Sequence, residues 1–323
     1  MPSHGRARIA NSVKFSLILG LAALPCGGAR AGPWAPGPGG TQAPVWPDGV
    51  AIARPAVSGD EAVKVDIGKD GKPITGVSNV TRPTFTVYPP KGRNSGATVV
   101  VFPGGGYQIL AIDLEGTEVC DWATAKGMTC VVLKYRVPDG GPHWDGRCRC
   151  QQTPPVPMAL QDAQRTISVL RHRATALHID PHRIGMLGFS AGGHLVADVS
   201  THRVRAYKAV DAADREDFRP DFAVALYPGH LWSGRDNDLS LQRATAPDAR
   251  TPPTFIVQAE DDPVDDVRNS VTYFLALKAA KVPADLHIYA HGGHAFGLRP
   301  TSQPIIHWPS MVEAWLHTIG RVN

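Results

Sequence analysis

A short segment around Ser190 constrains the fold and the chemistry of this chain more than any other part. An apolar run at 184–187 leads into Gly188-Phe189-Ser190-Ala191-Gly192, and a helical pattern follows. The G-x-S-x-G spacing is typical of a sharp strand-to-helix turn that exposes a serine hydroxyl on a strained backbone. Glycines two residues to either side give the turn room. The segment therefore predicts a nucleophilic serine, with the Ala191 N–H directed at a developing oxyanion.

The rest of the chain alternates between short apolar runs and helical periodicity. The runs that predict strands are 62–67, 84–88, 97–102, 129–134, 183–187, 222–227, 254–258 and 285–289. The segments that predict helices are 113–126, 158–176, 192–201, 265–280 and 309–319. This alternation indicates an α/β fold with a mostly parallel sheet and helices on both faces. Ligands bind at the carboxyl ends of such strands, and every candidate catalytic segment directly follows a predicted strand.

A serine nucleophile needs an acid that orients its base, and the acid comes after the serine in this kind of chain. Three consecutive carboxylates, at 260–262, follow one predicted strand. We choose Asp262 as the acid because the Pro-Val pair after it begins a rigid turn, and Asp261 is the alternative. Asp265 or Asp266 is interpreted as a cap of the following helix.

The base is expected in the loop after the last predicted strand. His291-Gly-Gly-His294-Ala-Phe-Gly297 occupies that position. Its glycines let the backbone carry an imidazole over the sheet edge toward the serine, and His294 is the better embedded of the two histidines. We choose His294 as the general base, with His291 as the alternative.

The oxyanion requires backbone N–H groups that converge on one point. Pro103-Gly-Gly-Gly-Tyr107 directly follows the predicted strand at 97–102. Consecutive glycines expose such groups and permit unusual backbone angles, so Gly105 and Gly106 are the predicted donors together with Ala191. A phosphate-binding loop is disfavoured because no Lys-Ser or Lys-Thr pair follows.

The N-terminus has the pattern of a secretory signal peptide. Arg6, Arg8 and Lys14 precede an apolar run at 15–24, which is too short to span a membrane, and Ala29-Arg30-Ala31 offers a cleavage site. Lipid attachment at Cys26 is disfavoured by the preceding proline. We therefore expect an exported protein, periplasmic or secreted, that is cleaved near Ala31.

Removal of residues 1–31 changes the charge of the chain. The leader carries four basic residues and no acidic ones, which leaves 29 basic and 29 acidic residues. A neutral chain indicates neither nucleic acid nor a membrane as partner. The Pro- and Gly-rich segment 32–60 is expected to be an irregular arm, and 61–323 to be a single domain.

Four cysteines remain after the leader: Cys120, Cys130, Cys148 and Cys150. Some can pair in an oxidising compartment, and four cysteines allow three connectivities. Buried free thiols are the alternative, and zinc is disfavoured because no finger-like spacing is present. The pairing and the oligomeric state are left open.

These motifs, with several others, resemble those of the α/β-hydrolase superfamily, and within it bacterial secreted esterases of the acetyl-xylan-esterase-like kind. The other motifs are Trp46-Pro-Asp-Gly49, Val80-Thr-Arg-Pro83, Leu133-Lys-Tyr-Arg-Val137 and Asp162-Ala-Gln-Arg165. The resemblance covers most of the chain after the leader. It implies an α/β-hydrolase fold in which Ser190, Asp262 and His294 form the catalytic triad.

The resemblance also implies a substrate class. We expect a serine carboxylester hydrolase that acts on a small-molecule or polysaccharide ester, most simply a xylan-type acetyl ester, without cofactor or metal. A feruloyl-type or broad short-chain carboxylesterase is the main alternative, and a peptidase or a non-catalytic binding protein fits less well. Pro103 stands where the lipase loop has histidine, and only 26 residues separate the strands at 222–227 and 254–258. We therefore expect no large lid domain.

Other roles are assigned more coarsely. Aromatic residues in loops near strand ends could stack on a sugar: Tyr107, Tyr227, Trp144 and Trp232. Ordinary loop packing is the alternative for each. Asp162 and Arg165 are expected to form a salt bridge one helical turn apart, and His194 to lie in the helix behind the serine.

Overall fold

The computed structural model describes residues 30–68, 70–140, 143–145, 150–152, 155–234 and 238–322. The strands in this part are β1 (Arg30–Ala31), β2 (Thr41–Pro44), β3 (Ala62–Ile67), β4 (Pro73–Ser78), β5 (Thr84–Tyr88), β6 (Thr98–Phe102), β7 (Ile109–Ala111), β8 (Thr129–Lys134), β9 (His143–Asp145), β10 (Cys150–Gln152), β11 (Ile184–Phe189), β12 (Ala223–Leu226), β13 (Thr254–Ala259) and β14 (Ala284–Tyr289). The α-helices are α1 (Glu118–Ala125), α2 (Pro157–His172), α3 (Ala174–Leu177), α4 (Ala191–Thr201), α5 (Arg268–Ala279) and α6 (Trp308–Thr318). All eight predicted strands and all five predicted helices are present, with bounds shifted by a few residues.

A central sheet of eight strands organises the molecule. Its order is β14-β13-β12-β11-β6-β8-β5-β2. The six strands from β14 to β8 are parallel, and β5 and β2 continue the sheet in antiparallel pairing. The prediction of a mostly parallel sheet is confirmed.

The sheet is covered on both faces. Every residue of β6, β8, β11, β12 and β13 is buried. Because successive side chains of a strand point to opposite faces, continuous burial requires packing on each side. The helices supply this cover, with α4 against β11 and β12 and α1 against β8.

A smaller sheet lies beside the central one and was only partly predicted. It has the order β1-β3-β4-β7 and is antiparallel throughout. Among its four strands, only β3 is predicted by the sequence pattern. β1 consists of the last two residues of the predicted leader, and the rest of the leader lies outside the described residues.

The arm at 32–60 is not irregular throughout, contrary to the prediction. Within it, β2 pairs with β5 and forms the edge of the central sheet. Beyond β2, Trp46 is buried and its indole Nε1 donates a hydrogen bond to Asp162 Oδ1 at 2.7 Å. The proline-rich composition concealed this strand because an edge strand tolerates proline.

The predicted salt bridge between Asp162 and Arg165 is wrong. Asp162 binds Arg136, which is fully buried, with Nε at 2.9 Å from Oδ2. Arg165 instead pairs with Asp211 and Asp214. Both side chains of the first pair are removed from water, so each requires the other as a charge partner.

A disulfide bond joins Cys120 in α1 to Cys130 in β8. The bond ties a helix to the strand that it covers. Cys148, and the side chain of Cys150, lie outside the described residues. Within the described part of the chain, no helix is long and apolar enough to cross a membrane.

Candidate active site

Ser190 lies on a strained turn between β11 and α4. Its φ is 51° and its ψ is −117°, a conformation that non-glycine residues rarely adopt. The turn is tight: a Cβ atom added to Gly192 would overlap the carbonyl oxygen of Phe102, and one added to Gly188 would overlap that of Gly192. Glycine at both positions is therefore required for the helix to start this close to the sheet.

The predicted triad residues meet at this turn. Ser190 Oγ lies 3.1 Å from His294 Nε2, and His294 Nδ1 lies 2.8 Å from Asp262 Oδ2. Ser190 lies on the turn after β11, His294 in the loop after β14 and Asp262 in the turn after β13. They form a continuous chain of hydrogen bonds from a carboxylate to a hydroxyl group.

The turn after β13 separates the two candidate acids. Asp262 is buried, and its Oδ1 accepts hydrogen bonds from the N–H groups of Val264 and Asp265. Asp261 instead accepts bonds from the N–H groups of Gly292 and Gly293 and lies 3.2 Å from Nδ1 of the exposed His291. The structure therefore pairs each candidate acid with a different histidine, and only the Asp262 pair reaches the serine.

The protonation of His294 is set by three carboxylates. Burial alone would lower its pKa, but the hydrogen bond to Asp262 and the negative charges of Asp265, Asp262 and Glu115 outweigh it and raise the pKa above 6.5. A stronger base accepts the serine proton more readily, provided that the imidazole is neutral. The acid limb of any activity that depends on this base is therefore expected above pH 6.5.

A fourth polar residue, Asp265, also touches the serine. Its Oδ2 accepts a hydrogen bond from Ser190 Oγ at 3.0 Å and lies 3.9 Å from His294 Nε2. It is buried, and burial raises its pKa to about 6. The sequence pattern predicts only that Asp265 or Asp266 caps the following helix. One weak signal for a position near the serine is present in the sequence: Asp265 follows Asp262, the predicted triad acid, by three residues in a D-P-V-D turn.

The loop after β6 lies against the nucleophile. Gly104 packs on Ser190 and donates its N–H to Glu115 Oε2 at 2.7 Å. The N–H groups of Gly105, Gly106 and Ala191 have no hydrogen-bond acceptor among the described residues. Unpaired backbone donors are what an oxyanion hole requires, and the assignment of these three N–H groups to that role stays a prediction.

Glu115 supports this loop and is a residue that the sequence analysis missed. It is buried in the π-helical turn Asp113–Thr117, and burial raises its pKa. Besides Gly104, it accepts a hydrogen bond from the Tyr227 hydroxyl at 2.8 Å. Nothing in its local pattern distinguishes it from an ordinary acidic residue at a helix start.

The predicted substrate contacts have other positions. Tyr227 is fully buried, and its ring packs 4.8 Å from that of His294. Tyr107 is also buried, with its hydroxyl 2.7 Å from His194 Nδ1. These positions favour packing over contact with a substrate. Trp232 is buried as well, and the side chain of Trp144, in β9, lies outside the described residues.

A cleft of about 410 Å³ opens beside His294. Its walls come from the β3–β4 hairpin and from the loop that carries the histidine. The lining side chains include Ile67, Ile74, Leu114, Phe296, Asp70 and Arg299. A mixed apolar and polar cleft of this size suits a small organic ligand. No group of residues in the described part could hold a metal ion.

Comparison with known proteins gives a consistent family. Residues 99–298 match the family described as having an alpha/beta hydrolase fold. An acetylxylan esterase of Xylanibacter ruminicola is 32% identical over 224 residues, 63% of this chain and 42% of the relative. Endo-1,4-beta-xylanase B of Butyrivibrio fibrisolvens is 28% identical over 220 residues, 61% of this chain and 32% of the relative. The chain thus spans less than half the length of these two curated relatives.

A solved structure resembles most of the chain. The crystal structure of an acetyl ester-xyloside bifunctional hydrolase from Caldicellulosiruptor lactoaceticus has a TM-score of 0.65 to this chain. The two are 29% identical, and the match covers 88% of this chain and 97% of that one. The structural match therefore extends over most of both chains.

Proposed function

The chain belongs to the α/β-hydrolase family, and from this premise we propose that it is a serine carboxylic ester hydrolase that removes acetyl or similarly small acyl groups from a carbohydrate. The observation that carries the proposal is the unbroken chain of hydrogen bonds from Asp262 through His294 to Ser190. A relay of this kind converts a weakly nucleophilic hydroxyl into one that attacks a carbonyl carbon.

The proposed reaction has two halves. His294 Nε2 accepts the proton of Ser190 Oγ while Oγ bonds to the acyl carbon, and the N–H groups of Gly105, Gly106 and Ala191 stabilise the resulting oxyanion. The bond to the alcohol oxygen breaks, and His294 gives that oxygen the proton. Water then attacks the acyl-enzyme with His294 again as base, and Asp262 holds the imidazole in the required tautomer throughout.

The substrate class rests on the relatives and on the size of the cleft. The acetylxylan esterase and the acetyl ester-xyloside bifunctional hydrolase support a carbohydrate acetyl ester. A cleft of about 410 Å³ is large enough to hold a sugar unit. A feruloyl-type or broad short-chain carboxylesterase uses the same relay and differs only in the acyl group that it accepts.

An ester panel tests the proposal. Purified protein is assayed with p-nitrophenyl acetate, butyrate and octanoate, with methyl ferulate and with acetylated xylan. We expect kcat/KM to fall as the acyl chain lengthens, and acetate to be released from xylan. A preference for octanoate or for the ferulate would contradict the acetyl-ester assignment, and the absence of any hydrolysis would contradict the proposed function.

We also propose that the protein is exported. Support comes from the basic, apolar and small-residue pattern of the leader and from the Cys120–Cys130 disulfide, since disulfides persist in oxidising compartments. The full chain expressed in a bacterial host is expected to accumulate outside the cytoplasm with an intact mass that corresponds to cleavage near Ala31. A cytoplasmic product of full length would contradict this proposal.

A further inference from the structure

Asp265 is a second carboxylate at the nucleophile, and the relay described above does not use it. We propose that Asp265 selects the alcohol part of the substrate: it favours esters whose alcohol carries a free hydroxyl on the neighbouring carbon, as partly acylated sugars do. The inference rests on the proposed function, since it concerns the alcohol that an ester hydrolase releases. It is carried by the distances from Asp265 Oδ2 to Ser190 Oγ and His294 Nε2, 3.0 Å and 3.9 Å.

The position of this carboxylate is fixed by the surrounding backbone. The Asp265 N–H donates to Asp262 Oδ1 at 3.0 Å, and its carbonyl oxygen accepts a hydrogen bond from Gln258 Nε2 at 2.9 Å. The side chain lies directly over Gly229, where an added Cβ atom would overlap Oδ1. The lack of a side chain at Gly229 therefore leaves the space that the Asp265 carboxylate occupies.

The hydroxyl of Ser190 is the one hydrogen-bond donor to the Asp265 side chain among the described residues. The serine has a single proton, so Asp265 loses this donor when the O–H group turns to His294, and in the acyl-enzyme Oγ carries the acyl group while its proton has passed through His294 to the leaving alcohol. A buried carboxylate without a donor is strongly unfavourable. The activation free energy of acylation is therefore lower when the substrate supplies an O–H group that replaces Ser190 as the donor to Asp265.

The geometry decides which substrates can do so. The leaving oxygen must lie within hydrogen-bonding distance of His294 Nε2, from which it takes its proton, and Asp265 Oδ2 is 3.9 Å from that nitrogen. A hydroxyl on the next carbon then lies close enough to donate to Asp265. A simple alkyl alcohol places C–H groups there instead, and the carboxylate stays without a donor.

Water can supply the O–H donor to Asp265 in the second half of the reaction, the hydrolysis of the acyl-enzyme. One of its O–H groups donates to His294 Nε2 and the other can donate to Asp265 Oδ2. As the water oxygen bonds to the acyl carbon and the acyl–Oγ bond breaks, one proton passes through His294 to Oγ and the other leaves on the carboxylic acid. In each half of the reaction, one O–H donor to Asp265 replaces another, and the protonation state of Asp265 does not change.

A matched pair of small esters isolates this effect. Propyl acetate and 2-hydroxyethyl acetate differ only by a methyl group in place of a hydroxyl group at the position in question. The ratio of their kcat/KM values is measured for the wild type, Asp265→Asn, Asp265→Leu and the control Asp266→Asn. Asp266 is the adjacent carboxylate and binds Arg268 rather than Ser190. Assays at about pH 8 keep Asp265 ionised, since its pKa is raised to about 6.

We expect the wild type and Asp266→Asn to prefer 2-hydroxyethyl acetate by about tenfold or more, as loss of a hydrogen bond to a charged group implies. Asp265→Leu should lose this preference, and Asp265→Asn should retain part of it because its amide oxygen still accepts a hydrogen bond. An unchanged ratio in Asp265→Leu would overturn the inference. Because both esters are measured on one preparation, partial misfolding of a variant does not alter the ratio.

The failure of this inference is distinct from that of the proposed function. If the wild type hydrolyses neither ester faster than Ser190→Ala does, the proposed function is wrong. If it hydrolyses both, with one ratio shared by all four proteins, the ester hydrolase stands and Asp265 has no part in selecting the alcohol.

Discussion

Replacement of Ser190 by alanine is expected to lower kcat for p-nitrophenyl acetate by about six orders of magnitude, leaving only the residual catalysis that the oxyanion donors and substrate binding supply. The reason is that, in the proposed mechanism, Ser190 supplies the nucleophile: without Oγ, His294 has no proton to accept, and the orientation that Asp262 gives its imidazole has no effect. Binding should be affected far less, because the oxyanion donors are backbone groups that the substitution leaves in place.

A second readout tests the covalent step directly. Wild-type protein quenched in acid during turnover should carry one acetyl group on the peptide that contains Ser190, and the alanine variant should carry none. Ser200→Ala is the matched control. Ser200 is a buried serine in α4, the helix that starts directly after Ser190, and its hydroxyl has no hydrogen-bond partner among the described residues. Acetylation at another residue, or full activity in Ser190→Ala, would contradict the mechanism.

The triad could be predicted from the sequence because each member depends on a local pattern. A glycine-flanked serine turn, a carboxylate run and a glycine-rich histidine loop each follow a strand, and parallel strands bring their carboxyl ends to one edge. The fold was predictable for the same reason, since buried parallel strands are continuous apolar runs. The three motifs also follow one another along the chain in the order serine, acid and base: Ser190, Asp262 and His294.

Residues whose roles depend on distant partners were not predictable. Asp265 has the sequence context of a helix cap, and only the approach of Gly229 from the loop after β12 reveals why it lies at the serine. Asp162 was assigned a partner one helical turn away, yet it faces inward to Arg136 at the end of β8. In both cases the sequence provides the charge, and tertiary packing chooses its partner.

Two strands outside the parallel part of the central sheet, β2 and β4, were not predicted for a different physical reason. β2 contains proline and is half exposed, so it lacks the apolar run that marks a central strand. β4 lies between β3 and β7 in the smaller sheet, and two of its residues, Gly76 and Pro73, have low strand propensity. Yet the β3–β4 hairpin forms one wall of the cleft beside His294. The wall of this cleft is therefore less predictable from the sequence than the positions of Ser190, Asp262 and His294.

Asp262→Asn should lower kcat/KM by about four orders of magnitude and should also move the acid limb of its residual activity to lower pH. The loss arises because an amide no longer holds His294 in the tautomer whose Nε2 is free to accept the serine proton. The shift arises because the hydrogen bond to Asp262, and its negative charge, raise the pKa of His294 in the wild type. Without them that pKa falls, and the imidazole stays neutral at lower pH.

Asp261→Asn is the matched control for this substitution, since the two carboxylates are adjacent on one turn. Asp261 binds His291 and the N–H groups of Gly292 and Gly293 but does not contact His294, so its variant should keep activity within a few-fold of the wild type and an unchanged acid limb. The reverse outcome, in which Asp261→Asn is the inactive variant, would move the role of acid to Asp261. Equal losses in both would mean that the variants disturb the turn itself, and a chemical denaturation curve for each would then reveal the common loss of stability.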